Sequence, residues 1–353
     1  MYVRNCWYVA AWDYELKSGE LISRTILGEP IVLYRASDGA LVALADRCCH
    51  RFAPLSLGRI EGDDLRCMYH GLKFDRSGRC IEIPGQDMIP QTACVRTYPA
   101  AEAHSWIWVW MGDQAKADPT LIPPAVGLAD PDWNLRSGQL DYAANYLLIN
   151  DNLTDFTHLS YVHANSFGAT EAFARTRPTV ERLERGVRIW RWLSDGLRKD
   201  APTRVHRRGE GDNWQSYDFL APGVLLMHTV VCPFGTAERF GHRPPDLSQV
   251  EVVSENFTSQ AVTPMTERTS RYFFSWGPRS GEGSHALAEA MMELALVAFG
   301  EDKTMIEAQQ RVIDMGPEQK EVLTSADVGP MQMRAALQRL IKAEREGAEA
   351  SAA

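Results

Sequence analysis

Residues 48–75 read CCHRFAPLSLGRIEGDDLRCMYHGLKFD and contain two short motifs in which a histidine closely follows a cysteine. Cys48 and His50 form the first motif, and Cys67 and His70 form the second after sixteen intervening residues. Thiolates and imidazoles are common protein ligands of zinc and of iron–sulfur clusters. The stretch therefore predicts a metal centre held between two loops.

The composition of each loop distinguishes between the possible metals. Zinc fingers usually pair Cys with Cys and His with His. Here each loop supplies one of each, which suits a Rieske [2Fe–2S] cluster with cysteines on one iron and histidines on the other. A structural zinc, or buried cysteines beside unrelated histidines, are the alternatives. Side chains two residues apart on an extended loop point the same way, so we expect Cys48 rather than Cys49 to be the ligand beside His50.

Two domains are expected, because 353 residues exceed the size of one ordinary hydrophobic core. Residues 1–115 alternate short apolar runs with turns, as in WIWVWMGD at 106–113, and predict an all-β domain. A connector rich in Pro, Asp and Gly occupies 112–136. Residues 116–353 combine strand-like runs such as VRIWRWL with helical patterns at 285–314 and 331–346, which predicts an α+β domain.

A second constellation lies in NDNLTDFTHLSYVH at 150–163, a helix-like segment that contains Asn152, Asp155, His158 and His163. Two histidines and one carboxylate form the facial triad of oxygen-activating Fe(II) sites, whereas a polar helix face is the alternative. Five residues rotate the second histidine by roughly 140° from the first on a regular helix. We therefore expect the helix to bend or break between His158 and His163, for example at a π-bulge.

Together the two motifs resemble those of the Rieske non-haem iron aromatic oxygenases, in their terminal oxygenase component. The first matches the family pattern C-x-H, about sixteen residues, then C-x-x-H-G. Cys49 and Phe52 stand where the family usually has Pro and often Gly, and neither position is a ligand. RNCWYVAAWD at 4–13, EIPGQ at 82–86 and residues 144–163 resemble the branch of vanillate O-demethylase, dicamba monooxygenase and toluenesulfonate methyl-monooxygenase.

The resemblance implies an α+β chain with an N-terminal all-β Rieske domain and a C-terminal helix-grip catalytic domain, an antiparallel sheet with helices. It also implies the metal ligands. The [2Fe–2S] ligands would be Cys48, His50, Cys67 and His70, and the ligands of a mononuclear Fe(II) would be His158, His163 and Asp302. Asp302 is the match to the family's downstream carboxylate in FGEDKTMIEAQ at 299–309, with Glu301 as its competitor.

Two further roles follow from the resemblance. Asp155 matches the family's bridging aspartate, which links an iron histidine to a cluster histidine of the neighbouring subunit, here His70. This role implies a homotrimer in which each iron receives electrons from an adjacent chain. Asn152 is expected beside the iron without binding it, so Asp155 and Asn152 are the candidate catalytic residues.

The implied reaction uses O₂ and two electrons to hydroxylate a methyl or methoxyl group of an aromatic acid. O-demethylation of a vanillate-like substrate, with release of formaldehyde, is the first expectation, and methyl hydroxylation of a toluenesulfonate- or toluate-type arene is the alternative. An electron-transfer or sensor protein without turnover is a further alternative. The chain shows neither a dinucleotide fingerprint after a strand nor a ferredoxin cysteine set. NADH is therefore expected to act through a separate flavin and iron–sulfur reductase.

Composition excludes other classes of partner. A formal charge of −9 argues against nucleic acid, since phosphate binding requires a basic face. No apolar run approaches the eighteen residues typical of a membrane span. Seven cysteines, an odd number without a secretion signal, favour metal binding in the cytoplasm over a disulfide framework.

The substrate pocket is the least defined part of the sequence. Strands between residues 215 and 275 are expected to line it, and an acidic substrate would need an Arg, His or Asn partner in an otherwise apolar cavity. Ordinary core packing is the alternative for each candidate. The candidates are His228, Asn256, Tyr217 and Phe257.

Overall fold

The computed structural model describes residues 1–194, 211–316 and 320–352, which form two compact units. Unit 1 consists of Met1–Ile122 with Thr263–Glu267, and unit 2 consists of Pro123–Val262 with Arg268–Ala353. Unit 1 extends past residue 115 because the first part of the connector packs on it: the indole Nε1 of Trp7 donates to the carbonyl of Asp118 at 2.8 Å. The boundary at 115/116 stays a sequence prediction.

Unit 1 is built from three small sheets, with strand orders β1-β10-β9, β2-β3-β4 and β5-β6-β7-β8. Aromatic residues of the first sheet fill its core, where Trp12, Trp106 and Trp108 are fully buried. Aromatic and β-branched side chains favour strands because they pack well on a pleated surface. The strands are β1 Cys6–Trp12, β2 Ile22–Ile26, β3 Glu29–Arg35, β4 Leu41–Ala45, β5 Arg59–Glu61, β6 Asp64–Arg66, β7 Lys73–Phe74, β8 Cys80–Glu82, β9 Ala100–Ala103 and β10 Trp106–Met111.

Unit 2 contains a seven-stranded antiparallel sheet with the order β11-β17-β16-β15-β14-β13-β12. Its strands are β11 Arg136–Tyr142, β12 Thr179–Leu183, β13 Gly186–Ser194, β14 Asp212–Leu220, β15 Val224–Cys232, β16 Ser254–Thr266 and β17 Thr269–Pro278. Its helices are α1 Tyr146–Thr154, α2 Ala172–Arg175, α3 Thr236–Arg239, α4 Ser284–Asp314 and α5 Val328–Ala352. Helix α4 packs on β11 and β17, and α5 packs on β13 and α1. The predicted α+β class and helix-grip architecture are confirmed.

The helix before the two histidines ends earlier than the sequence predicts. Helix α1 stops at Thr154, and Asp155 has an extended backbone (φ −131°, ψ 105°) that turns the chain out of the helix. The Asp155 carboxylate then accepts a hydrogen bond from Thr157 N–H at 2.8 Å and caps the 3₁₀ helix Phe156–Ser160. His158 and His163 are therefore separated by a 3₁₀ helix and turns rather than by the expected π-bulge. None of the described helices is long and apolar enough to cross a bilayer.

Candidate metal centres

The two motif loops of unit 1 share one backbone pattern. Phe52 N–H donates to the Cys48 carbonyl at 3.0 Å, and Gly71 N–H donates to the Cys67 carbonyl at 2.9 Å. Phe52 (φ 60°) and Gly71 (φ 79°) both adopt the left-handed conformation that reverses each loop after its histidine. A Cβ at Gly71 would also lie 2.7 Å from the side chain of Pro84. Glycine is thus required by the backbone and by the neighbouring proline.

These loops bring the proposed cluster ligands together. The Cys48 and Cys67 thiols are almost fully buried, and burial with Cys67 close by raises the pKa of Cys48 to about 12. The exposed rings of His50 and His70 have centroids 4.6 Å apart. Two buried thiols close to each other and two exposed imidazoles close to each other fit a cluster with one cysteine-bound and one histidine-bound iron. Cys49 is half-buried and packs against the apolar core of the unit.

Unit 2 contains the second centre. Among the described residues, His158, His163 and Asp302 form a group whose ligand atoms all lie within 4.8 Å of one another. Asp302 Oδ1 is 3.5 Å from His158 Nε2 and 3.1 Å from His163 Nε2. Two imidazoles and one carboxylate on one side of a metal are the donor set of non-haem Fe(II) oxygenases. The residues present therefore fit mononuclear iron, and their assignment as its ligands is our proposal.

Each histidine of this group is held through Nδ1, which leaves Nε2 directed at the centre. His158 Nδ1 lies 2.6 Å from the carbonyl of Asp155. His163 Nδ1 lies 2.8 Å from Glu301 Oε2, which also accepts from Ser166 Oγ at 2.6 Å. Such contacts fix the tautomer and ring orientation of a metal ligand. Glu301, considered from sequence only as a competing ligand, instead contacts the Nδ1 of His163 while Asp302 contacts its Nε2.

The two imidazoles have different electrostatic surroundings. Burial lowers the pKa of His158 below its ordinary value. Burial also acts to lower the pKa of His163, but hydrogen bonds to Asp302 and Glu301 outweigh it and raise the pKa. A bound cation would offset the negative charge of the same acidic pair.

Asn152 completes the inner side of this centre. Its amide Nδ2 donates to Asp302 Oδ1 at 3.0 Å and lies 3.3 Å from His158 Nε2. The amide thereby orients the carboxylate. This placement agrees with a residue beside the iron that is not itself counted among the ligands.

A cavity of about 750 Å³ opens beside the three proposed ligands. Its apolar wall includes Leu153, Phe156, Leu159, Phe167, Phe173, Met227, Trp276, Leu287, Met291 and Phe299. Its polar lining includes Asn213, Gln215, Thr229, Glu255, Asn256, Thr258, Gln260 and Arg279. Large apolar walls with a few polar groups are typical of small-molecule sites. Aromatic rings at the wall suit an aromatic substrate.

The predicted pocket residues occupy different places. Asn256 lines the cavity, and its Oδ1 accepts from Trp276 Nε1 at 2.8 Å. Tyr217 is fully buried with its ring stacked on Phe156, at a centroid distance of 4.5 Å. His228 Nε2 lies 3.0 Å from a carboxylate oxygen of Glu255. Phe257 packs against Trp133 and His228. All four assignments stay predictions.

Comparisons with known proteins agree with both centres. The family model of the Rieske [2Fe-2S] domain matches residues 6–99, and the model of the vanillate O-demethylase oxygenase C-terminal domain matches residues 142–343. The chain is 43% identical over 351 residues to the iron–sulfur subunit of the toluene-4-sulfonate monooxygenase system of Comamonas testosteroni, covering 98% of this chain and 99% of that one.

Two further similarities cover nearly the whole chain. A vanillate O-demethylase oxygenase subunit of a Pseudomonas species is 32% identical, with 99% of this chain and 98% of the relative covered. The crystal structure of dicamba monooxygenase bound to dicamba superposes with a TM-score of 0.83 at 31% identity, over 98% of this chain and 99% of that chain. The chain therefore belongs to the Rieske non-haem iron oxygenases, as an O₂-using oxygenase component of the vanillate O-demethylase type that carries a [2Fe–2S] cluster and a mononuclear iron.

Proposed function

We propose that this chain hydroxylates the methyl or methoxyl carbon of an aromatic acid as the terminal oxygenase of a multicomponent monooxygenase. The proposal rests on the group of His158, His163 and Asp302 at the edge of an aromatic-lined cavity. Iron bound there supplies the activation of O₂. The surrounding side chains position the substrate ring and exclude water from it.

The two forms of this reaction give different products. A methoxyl group would yield a phenol and formaldehyde, and a ring methyl group would yield a benzylic alcohol. The vanillate-type C-terminal domain supports the first form. The 43% identity to toluene-4-sulfonate monooxygenase subunits, against 32% for a vanillate enzyme, supports the second.

The electrons and the assembly are part of the same proposal. NADH would supply electrons through a separate flavin and iron–sulfur reductase. The chain would form a homotrimer in which Asp155 of one subunit meets His70 of the next. Exposure of the His70 ring supports this arrangement, since a bridging contact requires an accessible imidazole. We place the complex in the cytoplasm, where thiolates remain reduced.

Product analysis tests the function. Purified protein with a surrogate reductase, NADH and O₂ should release formaldehyde from methoxybenzoates or form alcohol from methyl arenes such as toluene-4-sulfonate. The Asp302→Ala variant should keep the visible cluster absorption, lose about one of three irons per chain and form no product. An electron carrier or sensor would instead contain two irons per chain and convert no substrate.

A further inference from the structure

Four polar residues lie side by side across the sheet of unit 2. The strand register pairs Arg191 with Gln215, Gln215 with Thr229, and Thr229 with Asn256. Directly opposed residues on neighbouring strands project from the same face of a sheet. Three of these residues line the cavity, and Arg191 lies on the next strand, beside Gln215 and outside the lining. We call Arg191, Gln215, Thr229 and Asn256 the polar row.

Arg191 is a buried cation that no carboxylate of the described residues contacts directly; Asp155 is the acid whose charge acts on it from farther away, and its guanidinium lies 4.9 Å from the ring centroid of Phe173. Its side chain is 2% exposed, and no carboxylate of the described residues lies within 4.0 Å of it. Its Nε donates to Gln215 Oε1 at 3.1 Å and its Nη1 to the Phe173 carbonyl at 3.3 Å, whereas Nη2 has no hydrogen-bond partner. A buried unpaired charge is costly, and unsatisfied groups of this kind call for an explanation. An anion bound nearby would offset the cost.

The guanidinium also fixes the orientation of the Gln215 amide. Arginine can only donate hydrogen bonds, so the amide oxygen must face Arg191 and the amide NH₂ must face away from it. Since Gln215 is buried and lines the cavity, its NH₂ is a donor polarised by the cation beside it. Asn213, two residues earlier on the same face of β14, also lines the cavity with an unpartnered side-chain oxygen.

Glu255 makes another part of the cavity lining acidic. Glu255 contributes a carboxylate whose oxygens lie 3.0 Å from His228 Nε2 and 3.3 Å from Arg279 Nη1. Both basic side chains are therefore already engaged by an acid. An anionic substrate group is disfavoured beside Glu255 and favoured at the Gln215 end of the polar row, so the charge of the cavity orients the ligand.

We propose that Gln215, polarised by Arg191, anchors the sulfonate or carboxylate of the aromatic acid. Asn213 supplies a second donor once its amide rotates to present NH₂. This proposal rests on the proposed function, which supplies the aromatic acid as substrate. It adds that the acidic end of the substrate is bound by β14, the strand that carries Gln215. Hydrogen bonds to charged groups are about twice as strong as neutral ones, so the anchor selects acids over their neutral analogues.

A charge-selective binding experiment tests the anchor. Toluene-4-sulfonate and toluene-4-sulfonamide have nearly the same shape and differ in charge. In Gln215→Glu the new carboxylate still accepts from Arg191, which preserves the local structure, but the NH₂ donor is replaced by a repelling charge. We expect the dissociation constant of the iron-loaded enzyme for the sulfonate, measured by calorimetry, to rise at least tenfold (about 1.4 kcal/mol), while that for the sulfonamide changes less than about threefold.

Gln260 provides the matched control. It also lines the cavity in a buried position, but its Oε1 accepts from the neutral Tyr272 hydroxyl at 2.6 Å. Gln260→Glu should change the sulfonate-to-sulfonamide ratio less than about threefold. Equal sulfonate affinity in Gln215→Glu and the unmodified enzyme, equal losses in both variants, or weaker binding of sulfonate than of sulfonamide by the unmodified enzyme would each overturn the anchor.

The outcome is separable from the proposed function. Tight, Gln215-dependent binding of the sulfonate without any hydroxylated product would support the anchor and contradict methyl hydroxylation. The pair 4-methoxybenzoate and 4-methoxybenzamide repeats the comparison for a methoxyl substrate. Failure of the unmodified enzyme to bind any acid of either pair would overturn the anchor, whatever other substrate it oxidises.

Discussion

Cys48 and Cys49 are neighbours in sequence but differ in surroundings. Cys48 is 1% exposed with the Cys67 thiol close by, whereas Cys49 is half-buried against the apolar core of unit 1. We expect Cys48→Ser to abolish the visible absorption of the cluster, because an alcohol is a poor replacement for a thiolate ligand. Cys49→Ser, the same change one residue away, should retain it. Loss of the absorption in both variants would contradict the assignment.

Phe52 shows how the loop tolerates a departure from the family pattern. It adopts φ 60° with a 70% exposed side chain, at the position equivalent to Gly71 in the second loop. The left-handed conformation costs a non-glycine residue about 1–2 kcal/mol.

We therefore expect Phe52→Gly to stabilise unit 1 by about 1 kcal/mol, less the greater unfolded-chain entropy of glycine. The denaturant concentration at which the cluster absorption is lost, compared between the variant and the unmodified chain, measures the change. Gly71→Ala is the opposite control and should destabilise the second loop, because its Cβ would meet Pro84. A destabilised Phe52→Gly would show that the exposed ring contributes more than the strained backbone costs.

Helix α4 positions two acidic residues, Glu301 and Asp302, that make different contacts. Consecutive helical residues are rotated by about 100°, so Asp302 reaches the centre while Glu301 reaches Nδ1 of His163. We expect Glu301→Gln to lower the affinity for Fe(II) by about 10–100-fold, as removal of such orienting groups does in other metal sites. Metal titration with a competing chelator measures it.

Glu293 offers a matched substitution, since it lies on the exposed side of the same helix. Glu293→Gln removes the same charge from α4 and should leave the iron affinity unchanged. If both variants lose affinity equally, the effect comes from the net charge of the helix and the orienting role of Glu301 is wrong.

The end of α1 is the second decisive element. An unbroken helix would turn His158 and His163 roughly 140° apart. The chain instead leaves α1 at the extended Asp155 and runs from His158 to His163 through the end of a 3₁₀ helix and turns. Asp155 also supplies the carbonyl that orients His158 and leaves its carboxylate half-buried at the end of the helix. The end of α1 at Asp155 thus places groups that serve both the proposed iron site and the proposed bridge between subunits.

For the whole molecule, the proposed trimer predicts complementation between defective subunits. Asp302→Ala chains should keep the cluster without the iron, and Cys48→Ser chains the iron without the cluster. If each iron is served by the cluster of an adjacent chain, co-expression should restore about a quarter of the normal activity per chain on random assembly in a closed ring. Turnover and size-exclusion mass measure the result. If the mixed trimers remain inactive, each iron receives electrons from the cluster of its own chain, and the proposed transfer between subunits is wrong.

The sequence was sufficient for whatever depends on local spacing and periodicity. Both metal-binding motifs, the all-β first domain and the helices at 284–314 and 328–352 correspond to patterns that short-range stereochemistry dictates. Even the inward position of Arg191 has a local signal, since it occupies the apolar phase of the alternating run Val187, Ile189, Arg191, Leu193. The phase alone does not predict burial, because an arginine in a strand usually faces solvent.

Only the tertiary structure decided which distant side chains meet. Glu301 as the partner of His163, Glu255 as the acid between His228 and Arg279, and Gln215 beside Arg191 depend on how α4 and four neighbouring strands pack. Such contacts join residues far apart in sequence, and their distances are set by strand register and helix docking rather than by local preference. The sequence motifs were therefore enough to predict the class of chemistry. The residues proposed to make the cavity selective are brought together only by the packing of the sheet.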